Sequence, residues 1–168
     1  MKADKGKNNN SQLPDPDPDI KSNAEFRRPL PFRRGVRLAI VEGIGNVYAG
    51  KLRAAGIKST NALLNMGATP QDRKEIAEIS GISDALILEW VNHIDLFRIK
   101  GVFEEYADLL NEAGVDTVPE LAQRNPEILY NHLVEVNQEK NLVRQLPGKS
   151  QVANWVAQAK QLPRVIYY

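Results

Sequence analysis

From Val36 onward, apolar residues recur at helical spacing and are interrupted at short intervals by glycine, proline and small polar residues. That rhythm predicts a series of short amphipathic helices. Asn46 opens a helix over 47–55 that Gly56 ends. Ser59 caps 60–66, with Gly67 after it, and Thr69-Pro70 starts a helix closed by Gly81. Ser83 caps a longer helix over 84–98, where Ile87, Leu88, Val91, Ile94 and Phe97 share one side with Trp90 beside them. A helix over 103–113 follows, closed by Gly114, and Thr117-Val118-Pro119-Glu120 is a capping-box pattern. Asn125-Pro126 opens a helix to about Gln138, and Ser150 opens one over 151–161, with Pro163 beyond its end. Only 36–41 and 165–168 have strand-like character, and both are short. The expected fold is all-α.

The chain also repeats itself. Gly43 and Gly101 are 58 residues apart, and so are Gly56 and Gly114. Around them, 40–45 align with 98–103, 48–57 with 106–115, and 62–64 with 120–122. Trp90-Val91 and Trp155-Val156 are 65 apart, which places an insertion of seven residues in the second copy, around 137–148. The expected organisation is a tail over 1–34, a first repeat unit over 35–98 and a second, diverged unit over 99–168, the two units packed into one compact helical domain.

Composition narrows the picture. With 168 residues and 42% hydrophobic content the chain can bury a core. It has no cysteine, which excludes disulfides and thiol chemistry and suits a reducing, cytoplasmic setting. No apolar run reaches the roughly 20 residues of a membrane span. Residues 1–12 are Lys/Asn-rich without the apolar region of a secretory signal. The alternation Pro14-Asp15-Pro16-Asp17-Pro18-Asp19 favours neither helix nor sheet, so the tail is expected to be disordered.

Net charge is +1, too small for bulk coating of nucleic acid, but it is unevenly spread. Residues 1–34 carry eight basic and five acidic side chains, 35–100 eight and seven, and 101–168 six and nine. Arg27, Arg28, Arg33, Arg34 and Arg37 lie in one proline-broken segment. Such tracts are most often solvated linkers. As a binding arm, this one suits phosphates or another acidic surface.

The first copy reads apolar-x-Gly43-Ile44-Gly45, then a helix carrying Ala49, Leu52, Gly56 and Ile57. It resembles the helix-hairpin-helix motif, in which two short helices are joined by a Gly-apolar-Gly hairpin. The resemblance implies that the hairpin amides and the next helix N-terminus meet a nucleic-acid phosphate. Lys51 is the basic side chain expected to strengthen that contact, with Arg53 as a second. In the second copy Phe103 replaces the second glycine, and Glu104 and Glu105 follow, so that copy is expected to be structural or to contact protein.

Over most of 36–168 the chain also resembles an uncharacterised bacterial family, domain of unknown function 4332. The segments that carry this include Val41-Glu42-Gly43-Ile44-Gly45, Leu86-Ile87-Leu88-Glu89-Trp90-Val91-Asn92 and Gly114-Val115-Asp116-Thr117-Val118-Pro119-Glu120-Leu121. The resemblance implies paired helix-hairpin-helix-like units and carries little about activity.

Several near-matches fail on chemistry. The run from Gly45 to Leu52 nearly spells a P-loop, but Leu52 has no hydroxyl for magnesium. Tyr48 stands where a dinucleotide fingerprint needs its third glycine. His93 and His132 are 39 residues apart without metal-ligand spacing, and Asp15, Asp17 and Asp19 lack a calcium loop's glycine and glutamate. Glu104, Glu105 and Asp108 read as a solvated helix face before a metal site. Trp90 and Trp155 read as core anchors before stacking platforms.

Two functions follow as expectations. The first is a non-enzymatic, cofactor-free module that binds DNA or RNA backbone weakly and salt-sensitively. Its residues would be Gly43, Ile44, Gly45, Asn46, Lys51 and Arg53, extended by Arg27, Arg28, Arg33, Arg34 and Arg37. The second is a protein-interaction adaptor that uses the acidic second repeat.

Overall fold

Local hydrogen bonds set where the helices begin. Ser59, Thr69, Ser83, Thr117 and Asn125 each accept a first-turn amide through the side chain, which satisfies donors that have no partner within the helix. Glu120 also reaches back past Thr117 and accepts from the Asp116 amide at 2.9 Å, a second side-chain bond in that turn. The computed structural model describes residues 37–168. The tail expectation, with Arg27, Arg28, Arg33 and Arg34, lies outside the described residues.

A 3-10 turn over Leu38–Ile40 comes first. Helices α1 (Asn46–Ala54), α2 (Thr60–Met66), α3 (Pro70–Ser80) and α4 (Asp84–Leu96) form the first unit. Helices α5 (Glu104–Glu112), α6 (Val118–Ala122), α7 (Pro126–Lys140) and α8 (Lys149–Gln161) form the second. The described residues are all-helical, with no strand among them. Both stretches that look strand-like in the sequence are otherwise in the structure. Within 36–41, the described part winds into the 3-10 turn, because Val41 N–H donates to Leu38 O at 3.1 Å. The segment 165–168 carries no strand: it returns along the first unit, where Tyr167 N–H donates to Ala68 O at 2.8 Å.

The two units are built alike. In each, the last helix packs on the third and the second, and the first helix packs on the third. The seven-residue insertion falls where the repeat offset predicts it: α7 outruns α3, and 141–148 join α7 to α8 where Gly81, Ile82 and Ser83 suffice between α3 and α4.

Two apolar clusters meet at α4. Trp90, Leu52, Ile57 and Ile94 belong to the first; Trp155, Leu110, Val115 and Leu96 belong to the second. Each large side chain buried this way contributes about 1.5–3 kcal/mol. Polar ties close the junction. Asp95, 1% exposed, accepts from Arg98 at 2.7 Å and from the Val118 amide at 2.8 Å. It thereby satisfies a first-turn donor of α6. Arg98 also donates to Pro163 O at 2.7 Å. The chain then crosses back: Ile166 enters the first cluster, and buried Arg73 donates to Gly67 O, Ala68 O and Tyr167 O. The final residues of the second unit therefore complete the core of the first.

Candidate nucleic-acid interface

The hairpin over 41–45 is shaped by one left-handed glycine and one buried anchor. Gly43 has φ +80°, a left-handed conformation that residues with a Cβ rarely take. A Cβ there would also lie 3.2 Å from Trp90 Nε1. Ile44 donates its amide to Val41 O at 3.0 Å and buries its side chain to 2% exposure. Of the three residues expected at the phosphate, Ile44 is thus an anchor whose side chain faces the core.

Gly45 differs from Gly43. Its φ is −75° and its ψ −179°, which any residue adopts, and a Cβ would meet nothing within 4 Å. Phe103 holds the equivalent place in the second unit with φ −121° and stands 61% exposed. Folding therefore does not require a glycine at 45. Gly45 is also the N-cap of α1 and makes no side-chain cap hydrogen bond. This corrects the reading of Asn46 as the opening cap: Asn46 is the first helical residue, because the hairpin delivers Gly45 in the extended conformation that a cap needs. Gly43, Gly45, Asn46 and Val47 are all exposed, so the bare turn and the α1 N-terminus share one open surface.

The basic residues divide by helix geometry. Lys51 lies on the Tyr48 side of α1, with its Nζ 5.7 Å from the Tyr48 ring centre. Arg53 is two residues further, about 200° around the helix, so it faces away from Lys51. Arg37 is exposed and extended, leading into the 3-10 turn. Lys58 is exposed as well, although it sits beyond the motif in the sequence.

Charge separates the two hairpins sharply. Residues 37–58 contain Arg37, Lys51, Arg53 and Lys58 against the single acidic Glu42, a net of +3. The equivalent stretch 95–116 contains two basic and six acidic residues, a net of −4. Glu104 and Glu105 open α5 at the positions equivalent to Asn46 and Val47.

The hairpins also differ in how they are tied down. In the second, Lys100 N–H donates to Gln158 Oε1 at 2.9 Å, and Gln158 Nε2 donates to Lys100 O at 3.3 Å. That side chain clamps the turn to α8. The residue at the same register of α4 is His93, and it serves another contact. His93 is buried and its Nε2 lies 3.1 Å from Asp108 Oδ1, on α5 of the second unit. The 40–45 turn has no side-chain clamp of this kind among the described residues. Position 158 against 93 was visible in the repeat alignment, but only packing reveals which neighbour each side chain serves.

Trp90 and Trp155 are each 1% exposed; Trp90 packs edge-on against Tyr48 and Trp155 packs tilted against Tyr106, both at 5.2 Å. They are core anchors, out of reach of a base. His132 pairs with exposed Glu135 at 3.5 Å. Among the described residues no group of His, Asp and Glu could hold a metal ion, and no helix is long and apolar enough to cross a membrane.

No curated protein and no solved structure matches the chain. Residues 42–162 match the family described as Domain of unknown function (DUF4332). The matched stretch begins beside the hairpin glycine Gly43 and ends just past α8, so it takes in both helical units. The chain belongs to the DUF4332 family.

Proposed function

We propose that this protein is a non-enzymatic module that binds the phosphate backbone of DNA or RNA without sequence preference, through the first hairpin acting as a helix-hairpin-helix element. The observation that carries this reading is Gly45. The fold has no need of a glycine there, yet the position is bare, and it lies at an uncapped helix N-terminus in the more basic half of the folded chain. A phosphate oxygen would accept from the exposed first-turn amides, favoured by the helix dipole, and Lys51 would add charge. Arg37 and the arginines of the tail would extend the grip. Contacts of this kind hold the backbone and read no bases. Cytoplasmic placement belongs to the same proposal.

Fluorescence polarisation with a labelled DNA duplex and an RNA of equal length, at low and at physiological salt, tests it. Binding on the order of micromolar that weakens steeply with salt is expected. Deleting 1–34 and reversing Lys51 to Glu should each reduce it. Absence of binding at low salt, or indifference to both changes, would reject this site.

A second reading rests on Phe103. It stands 61% exposed beside exposed Glu104 and Glu105, a surface suited to a protein partner in an adaptor. A partner that survives nuclease treatment in a pull-down and is lost with Phe103→Ser would favour it.

A further inference from the structure

We infer that Tyr48 is a positioning residue for Lys51, holding the ammonium group beside the first hairpin; this rests on the nucleic-acid reading of that hairpin. Gly43, Trp90, Tyr48 and Lys51 form a continuous chain of contacts. The indole Nε1 of Trp90 lies against Gly43, its ring meets Tyr48 at 5.2 Å and 61°, and Lys51 Nζ sits 5.7 Å from the Tyr48 ring centre. An ammonium over an aromatic face is attracted by the ring quadrupole. Tyr48 and Lys51 are three residues apart on α1, a spacing that puts them on one face. The flexible lysine stem is thereby steered toward the hairpin end of the helix, since helical side chains lean toward the N-terminus.

The second unit supplies the internal comparison. Gly101, Trp155 and Tyr106 repeat the first three members of the chain with nearly the same spacings. The fourth position is Leu109, fully buried. The aromatic pair therefore has a packing role in both units, and only the first adds a cation to it.

Tyr48→Leu, Tyr48→Phe and Tyr106→Leu separate the two roles. The readouts are polarisation with a labelled DNA duplex at low salt and the proton shifts of the Lys51 ε-methylene in the full chain. Wild type should show a ring-current upfield shift at Lys51. Tyr48→Phe should keep both that shift and the affinity. Tyr48→Leu should lose the shift and bind about two- to fivefold more weakly. Tyr106→Leu should lower thermal stability without changing affinity. An unshifted Lys51 methylene in wild type overturns the inference even where Tyr48→Leu does not fold. Equal affinity of wild type and folded Tyr48→Leu overturns it too, and leaves the nucleic-acid reading intact. If wild type does not bind DNA at low salt, that reading falls, and with it the role assigned to Lys51.

Discussion

Trp90 Nε1 lies 3.2 Å from the point where a Cβ on Gly43 would stand. The glycine at 43 is thus demanded twice, by its backbone angle and by the tryptophan beneath it. Gly43→Ala is expected to destabilise the protein by about 1–3 kcal/mol. Gly101→Ala should cost a similar amount, since φ is +93° and Trp155 Nε1 is again 3.2 Å away. Gly45→Ser should hold or raise stability, because a serine at the N-cap accepts a first-turn amide. Urea unfolding of the three variants checks the ranking.

Copying the second unit into the first tests what Gly45 is for. Gly45→Phe reproduces Phe103, whose backbone occupies the same extended region. Stability should change by no more than about 1 kcal/mol. Nucleic-acid affinity should fall about tenfold, the scale of one lost hydrogen bond to a charged group, because the ring covers the amides. Parallel melting and polarisation measurements decide it; a folded variant with wild-type affinity would move the interface elsewhere.

The Gln158 clamp predicts unequal hydrogen exchange. The Lys100 amide has a side-chain acceptor at 2.9 Å, and Glu42 at the same repeat position has none among the described residues. Lys100 should exchange more slowly than Glu42. Gln158→Ala should speed Lys100 roughly fivefold, the equivalent of one modest hydrogen bond, while Glu42 stays unchanged.

Asp95 joins the two units at a stability cost that depends on pH. Removing it by Asp95→Ala leaves the Val118 amide and the Nη1 group of Arg98 without this acceptor, and about 3–5 kcal/mol should be lost. Burial pushes the Asp95 carboxyl above its ordinary range, against the opposing pull of Arg98 and the Val118 amide. The folded state therefore takes up this proton before the unfolded state does. The resulting stabilisation is full below the unfolded carboxylate pKa and is lost as pH rises through the folded one. The stability of wild type relative to Asp95→Asn should accordingly decline as pH is raised through the acid range; a rise would contradict the assignment.

The sequence by itself determined the all-helical class, the caps at Ser59, Thr69, Ser83, Thr117 and Asn125, the 58-residue repeat and the place of the insertion. These are local matters: a cap bonds an amide two or three residues on, and amphipathic spacing belongs to one helix. Gly43 was legible for the same reason, since a turn between two helices announces its need for a glycine. Tertiary structure alone decided that Gly45 answers no demand of the fold and that Ile44 anchors the turn from below. It alone decided that His93 serves α5 while Gln158 clamps a turn, and that 165–168 returns to the first core. Those outcomes depend on which faces of distant helices meet, and that choice is made by packing over the whole chain, beyond the reach of any short window of residues.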